Sequence, residues 1–383
     1  MEQQSNIVRF NVLSSDLFKR VEVLSGFFSS KPVLPILGDF LFELTESSLA
    51  VTASDLSNVV VTKLPVKGTG ASKIAVPASI LIETLRNLPP QPIAVEINAD
   101  HHEVVIIAQN GRFKIACENH VDFPQVTQIE EAGIAVDVSE FKKAIKQTLF
   151  AASKKNDMHP QICGLNITLN PDKGLTFAAT DGFRLVRYHI NHAIKTAYHS
   201  LTLQNKSMQL LLQLLPSGEK EMQMVIVDKK KIHFKVAHLY IVVNIMEGVY
   251  PDYTRVIPAQ LPNELRINRE AFYGAIKIID CYANKTTYEI CIKFSKNELR
   301  IAAEDLEFAN KGETTLPCAY EGPDAYIGMN STLLLEMVKN MQAEEMVLHF
   351  NKPQNAMVIT PAKEEKATTL LMLIVPITLR KEV

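Results

Sequence analysis

Hydrophobic spacing along the chain switches between a helical and a strand-like period, and it does so three times over. Leu13, Leu17, Val21, Leu24 and Phe28 recur at steps of four, four, three and four, which lines one stripe of an α-helix. Phe141, Ile145 and Leu149 repeat the step, and Phe272, Ile276 and Ile279 repeat it again. These stripes lie in SSDLFKRVEVLSGFF, VSEFKKAIKQTLFAAS and NREAFYGAIKIIDCYA, each with a polar start that suits a helix N-terminus. A second landmark follows each one: IAVPASILIETLRNLP from Ile74, LTLQNKSMQLLLQLLP from Leu201 and YIGMNSTLLLEMVKNMQ from Tyr326. Each reads as a short apolar strand, a small polar cap and a Leu-rich helix. Partly alternating runs such as GRFKIACEN and KKKIHFKVA predict strands, joined by turns such as QNGR and PDKG.

A local echo fixes the period. LAVTASDL (49–56), LTFAATDG (175–182) and LRIAAEDL (299–306) place Asp55, Asp181 and Asp305 at intervals of 126 and 124 residues. One domain is thus written three times. The expected domains are 1–130, 135–258 and 262–383, with linkers near 125–134 (Glu130, Glu131) and 257–264 (Pro258, Pro262). Short linkers favour a fixed arc of domains over beads on a string. Two helices per repeat among antiparallel strands, without strict βαβ alternation, make the class α+β.

The 383 residues hold 40 Lys and Arg against 42 Asp and Glu, a formal charge of −2, which excludes a generic polycation. Any affinity for DNA must come from where the charges sit. At 100° per residue Lys19, Lys143 and Lys146 project opposite the apolar stripes, so their helices are apolar inward and basic outward. Cys117, Cys163, Cys281, Cys291 and Cys318 form no C-x-x-C pair, and no secretory leader precedes Asn6, the pattern of reduced, mostly buried thiols in a cytoplasmic protein. The apolar run near 370–377 is too short to span a bilayer and contains Pro376, so no membrane partner is expected.

Candidate chemistry is sparse. GTGASKIA lacks the spacing of a phosphate-cradling loop and reads as a turn. His189 and His192 have no third ligand at a metal-site spacing, so no metal or other cofactor is expected. Asp181 with Arg184 admits a phosphate-handling enzyme, yet the recurrence of the aspartate in all three repeats favours a turn-forming role. Three features stay unexplained by the repeat: the Arg184-Leu185 pair, the stretch EGVYPDYTRVIP (247–258), and the apolar carboxyl end LLMLIVPITL, which must dock on something if it is not to fray.

KPVLPILGDFLFEL (31–44), ATDGFRLVRY (179–188), EGVYPDYTRVIP and the terminal VPITL resemble the bacterial DNA polymerase III beta subunits, the sliding clamps, in register with all three repeats. The resemblance implies three DNA-clamp domains, each with two helices against antiparallel sheets, making half of a six-domain ring closed by a head-to-tail homodimer. It implies a non-catalytic processivity factor that encircles duplex DNA without reading sequence, and that tethers the DNA polymerase III alpha subunit, the clamp loader, other polymerases and repair proteins. A diverged paralogue serving as an interaction scaffold is the alternative.

Carried over by position, a groove for short hydrophobic peptides is implied at Ile162, Thr180, Gly182, Phe183, Arg184, Leu185, Pro251, Arg255 and Val256, completed by Leu373, Val375, Pro376, Ile377, Thr378 and Leu379. Arg184 and Arg255 are expected either to hydrogen-bond the peptide or to pack their stems over the seam. Implied DNA contacts are Lys19, Arg20, Lys31, Lys143, Lys146, Lys155, Asn156, Lys206 and Lys277, and the dimer seam is expected at Phe113, Ile278 and Ile279. The chain departs from the family pattern at Pro160 and Gln161, where adjacent tyrosines are known, at Phe183 for a common His, at Thr378 for a common Arg, and in the extension 380–383.

Overall fold

Each predicted helix forms, though the stripes overrun it: Leu24 and Leu149 fall in short 3₁₀ turns just after the helices that carry them. A computed structural model of the chain describes residues 7–27, 34–124, 129–155, 157–192, 194, 197, 199–363, 365 and 367–379; Phe28, Lys31, Asn156 and 380–383 lie outside the described residues. The first helix of each repeat is α1 (Ser14–Val23), α3 (Val138–Thr148) or α5 (Arg269–Asp280), and the second is α2 (Ala78–Asn87), α4 (Asn205–Leu214) or α6 (Ser331–Asn340). Leu17, Val21, Phe141, Ile145, Phe272 and Ile276 are wholly buried on the stripes. Asn268 and Asn330 cap α5 and α6 by accepting from the backbone N–H of Ala271 and Leu333. Leu13 departs from its stripe: it ends the strand Ile7–Leu13, paired with Pro92, and is 47% exposed. The helix starts one residue later, at buried Ser14, whose hydroxyl donates to the Pro89 carbonyl.

The described residues divide into two compact units, 1–139 with 209–245 and 140–208 with 246–383. These units do not coincide with the three repeats, because strands of consecutive repeats hydrogen-bond into single sheets. In the first unit an eight-stranded sheet runs Ile134–Asp137, Glu221–Val227, Lys231–Val236, Leu239–Asn244, Asn58–Pro65, Ser48–Ser54, Asp39–Leu44, Ser72–Pro77. In the second unit another runs His199–Gln204, Gly164–Asn170, Gly174–Thr180, Arg184–Ile190, Thr368–Ile374, Met357–Pro361, Glu345–Phe350, Asn263–Asn268. The join in the first is Leu239–Asn244 on Asn58–Pro65, and in the second it is Arg184–Ile190 on Thr368–Ile374, both antiparallel. A five-stranded sheet completes the first unit and a four-stranded sheet the second. The strand pairing is antiparallel throughout these sheets, which with the six helices gives the α+β class expected.

Aromatic side chains anchor both cores. Phe10, Phe40 and Phe42 are fully buried in the first unit, while Phe294 and Phe350 meet at 4.4 Å in the second. Of the five cysteines only Cys291 is buried. The expectation of mostly buried thiols is too broad, since Cys281 is exposed and the other three are half-buried.

Candidate functional site

The recurring aspartate makes a turn in every repeat. Asp55 Oδ1 accepts from the backbone N–H of Ser57 and Asn58, Asp181 Oδ1 from Phe183 and Arg184, and Asp305 Oδ1 from Glu307. These are side-chain-closed turns of the kind Asp favours. In the second repeat the turn is tightened further. Thr180 Oγ1 donates to the Arg184 carbonyl at 2.6 Å and accepts from Gly182 N at 3.1 Å, with Gly182 in the left-handed region at φ +92°. The turn leaves Phe183 66% exposed at its tip.

Arg184 is the residue this repeat adds, and it points inward. Its side chain is only 6% exposed, with Nε on Asp181 Oδ2 at 3.0 Å, Nη2 on the Phe150 carbonyl at 3.0 Å and its guanidinium over the Phe150 ring at 5.3 Å. Nη1 lies 2.8 Å from Glu336 Oε2 on α6, an ion pair whose angle leaves that nitrogen without an aligned hydrogen bond. Nε and Nη2 are thus engaged inside the protein, while Nη1 faces Glu336. Arg255 is the opposite case, 84% exposed and paired with Asp252 at 2.9 Å.

The carboxyl end is docked as its hydrophobicity demands. After the strand Thr368–Ile374, Val375 N donates to the Phe183 carbonyl at 2.9 Å and Ile377 N donates to the Gly328 carbonyl at 2.9 Å. Pro376, which has no N–H to satisfy, sits between these two bonds. The chain therefore crosses from the Phe183 turn to the edge strand Ala325–Asn330. The approach at Gly328 is so close that a Cβ there would stand 2.5 Å from the Ile377 carbonyl oxygen. Beside the tail, a cavity of about 570 Å³ is walled by Pro376, Ile377, Thr378 and Leu379 and by Asp324, Tyr326 and Lys352.

Under the tail and the turn, Leu185, Val358 and Leu373 form a buried apolar floor, with Tyr253, Ile257 and Leu261 packed against it. Ile162 is buried as well, while Val256, Val375 and Pro251 are exposed. Of the implied groove residues, Leu185 and Leu373 meet in this cluster and Pro376, Ile377, Thr378 and Leu379 line the neighbouring cavity; Val358, Tyr253, Ile257 and Leu261 join the cluster without having been singled out in the sequence. Strand order was the signal for Val358: it pairs with Leu373, which pairs with Leu185. Tyr250 is also buried, its hydroxyl pushed well above the usual tyrosine range by that burial.

The basic positions separate into two kinds. Lys19, Lys146, Lys155, Lys206 and Lys277 are exposed, and Arg20 is half-buried. Lys155 lies 3.6 Å from Asp157. Lys143 does not project freely as the helical wheel suggests: Glu365 accepts from its Nζ at 2.8 Å, so a carboxylate already neutralises it. Burial lowers the Lys143 pKa, but the hydrogen bond it donates to Glu365 and the neighbouring acidic groups outweigh it and hold the ammonium charged. Of the seam residues, Phe113 and Ile278 are exposed at 38% and 61%, whereas Ile279 is 1% exposed and belongs to its own core. Ile279 follows the apolar stripe of α5, and Ile278 one residue earlier takes the outer face. His189 is explained by its Nδ1 bond to Thr176 Oγ1 at 2.9 Å, and burial lowers its pKa. Among the described residues no cluster of three or more potential metal ligands forms, and no helix is long and apolar enough to cross a membrane.

The architecture has close counterparts. The beta subunit of the Streptococcus pyogenes DNA polymerase superposes with a TM-score of 0.91 at 22% identity, covering 97% of this chain and 100% of that one. A sliding clamp from Pseudomonas aeruginosa, solved bound to griselimycin, gives 0.89 at 21% identity with the same coverage. In sequence, the beta sliding clamp of Vibrio cholerae is 22% identical over 95% of this chain and 99% of its own length, and that of Synechocystis 24% identical over 94% and 97%. Residues 8–127, 135–252 and 254–375 match in turn the N-terminal, central and C-terminal domain models of one family. With those three matches laid end to end over most of its length, the chain belongs to the DNA polymerase III beta subunit family.

Proposed function

We propose that this non-catalytic sliding clamp works as a head-to-tail homodimer, a ring of six domains around duplex DNA, and that polymerases and other DNA-handling proteins dock through the groove under its carboxyl-terminal tail. Domains at 1–130, 135–258 and 262–383 fit this reading. The observation that carries the docking role is the tail itself. Two backbone bonds hold it between Phe183 and Gly328, leaving the apolar side chains of Phe183 and Val375 exposed at the rim of the Leu185–Val358–Leu373 floor. An exposed apolar rim over an apolar floor, edged by a few polar groups, suits a peptide anchored by Leu or Phe.

Lys19, Lys146, Lys206 and Lys277 supply the charge for a DNA-facing surface that contacts phosphates and reads no bases. Phe113 and Ile278 are the apolar side chains available for the ring seam. The test is anisotropy binding of a labelled Gln-Leu-Ser-Leu-Phe peptide together with the mass of the native chain in solution. Saturable binding that disappears when the chain is cut before Pro376, with the dimer mass intact, supports both parts. Undiminished binding by the truncated chain refutes the groove, and a monomer at micromolar concentration refutes the ring.

A further inference from the structure

The first unit contains a second cavity built on the same plan as the groove, with different chemistry at its centre. In the groove, Leu185 pairs with Leu373 and Leu373 with Val358. In the first unit, Val59 pairs with Val242 and Val242 with His233, the same two steps across three strands. The turn beside them is also repeated. Leu56 N donates to Ser54 Oγ at 3.2 Å as Gly182 N donates to Thr180 Oγ1, and Leu56 takes φ +72° where Gly182 takes +92°. Val59, Val242, His233, Ser54 and Leu56 line a cavity of about 430 Å³, closed on another side by Pro124 and Ile129. His233 thus occupies the place that Val358 occupies in the groove.

The histidine has a defined and unfinished hydrogen-bonding state. Ile129 N donates to Tyr240 Oη at 2.8 Å, and Tyr240 Oη lies 2.5 Å from His233 Nδ1. Donation of the phenol proton to Nδ1 is the arrangement that leaves neither the Ile129 N–H nor the buried phenol proton without a partner, and it is the tautomer we assign. His233 is 3% exposed, and burial, Lys231 and Lys235 all lower its pKa, so the ring is neutral and carries its one proton on Nε2. Nε2 is buried and has no partner. A buried donor without an acceptor destabilises the protein, and an incoming acceptor relieves that cost. The charged groups around it favour an anionic one: among the described lining residues Lys230 and Lys231 stand against one acid, Asp228, while Lys235 is turned to the Glu131 carbonyl. Leu56, 46% exposed, with Val59, Val242 and Pro124, offers apolar surface for the residues next to the anion.

We propose that this cavity is a docking site for an acidic partner peptide, a segment that presents an Asp or Glu carboxylate to His233 Nε2 between apolar neighbours. The proposal stands on strand register and the Tyr240–His233 pair, independently of the groove. Its probe is a pool of Ac-Gly-X-Asp-X-Gly-NH2 peptides, X being Leu, Val or Phe, beside the same pool with Ala for Asp. The pools are titrated into the uniformly 15N-labelled full chain while the imidazole nitrogens are followed by long-range 1H–15N spectra. The Asp pool should move the His233 Nε2 resonance saturably and bind about tenfold tighter than the Ala pool, the scale of one charge-assisted hydrogen bond. His233→Val, which installs the groove's own residue, should erase that preference. Lys230→Ala with Lys231→Ala should weaken the Asp pool and flatten its salt dependence with the fold untouched, and an excess of the Gln-Leu-Ser-Leu-Phe peptide should not displace it. An unmoved His233 resonance, equal affinity for both pools, or displacement by the groove peptide would overturn the proposal.

Discussion

Replacing Gly328 with Ala tests whether the groove depends on the path of the tail. The added methyl would stand 2.5 Å from the Ile377 carbonyl oxygen and 2.9 Å from the Leu379 side chain, so the tail must retreat by about 1 Å to reach ordinary van der Waals separation. That retreat breaks the bond from Ile377 N to the Gly328 carbonyl, about 1 kcal/mol, and removes part of the Leu379 burial, roughly another 1 kcal/mol. Together they shift the ratio of docked to released tail about thirtyfold. Because the peptide needs the docked tail, its apparent Kd rises as the docked fraction falls, by up to roughly thirtyfold. The strand itself survives, since Gly328 keeps its ladder partner Cys291 on the other side. Anisotropy with the Gln-Leu-Ser-Leu-Phe peptide measures the affinity, a melting curve confirms the fold, and truncation before Pro376 sets the limiting loss. A native Kd in Gly328→Ala, with the truncated chain clearly weakened, would show that the tail's register against Gly328 does not build the pocket.

Arg184→Met should destabilise the chain by about 3 kcal/mol in urea unfolding, because it leaves Asp181 and the Phe150 carbonyl without their buried partner; Arg184→Lys should rescue little, having no fork to bridge them. Lys19→Ala, Lys146→Ala and Lys277→Ala should each make the salt dependence of duplex DNA binding shallower by about 0.9 in the log–log slope for each phosphate that is no longer neutralised, whereas Lys143→Ala, already neutralised by Glu365, should change it little. Asp39 is 6% exposed and its pKa rises from 3.8 to about 6 through burial and the charge of Glu118. The folded state therefore holds this proton more tightly than the unfolded chain does, so stability falls as pH rises from about 4 to 6 and stays lower above, by up to about 3 kcal/mol. Asp39→Asn should flatten that part of the urea midpoint against pH; an unchanged slope would remove Asp39 as its source.

Local spacing carried far in the sequence, and pairing at a distance did not. The helices from Ser14, Val138 and Arg269 start where polar residues precede an apolar stripe, because capping and helical periodicity are decided within a few residues. The aspartate turns were legible for the same reason, each closing on an N–H two or three residues away. The eight-stranded sheets were not, since the join of Leu239–Asn244 to Asn58–Pro65 brings together strands from different repeats. That is also why Val358 escaped notice beneath the tail, and why the wheel that set Lys143 facing outward could not foresee Glu365 across it. Ile279 was placed both on the apolar stripe and at the seam; at 1% exposed it belongs to the stripe, and Ile278, 100° away on the helix, is the exposed one.

The three copies act as internal controls on one another. A feature present in all of them belongs to the fold: the aspartate turn recurs, so Asp181 needs no catalytic role, and a phosphate-handling site built on Asp181 and Arg184 loses its acid to the turn and its cation to Phe150 and Glu336. A feature present in one copy belongs to what that copy does. Arg184 replaces Asn58 of the first copy and, by locking the Asp181 turn to α6, stiffens the wall on which Phe183 is displayed. His233 replaces Val358 in the reverse comparison, at a cost in unsatisfied polarity that a purely structural join would have avoided by keeping valine. The two joins thus share a backbone plan and diverge at the side chains facing their cavities, which is where selection for different ligands would act.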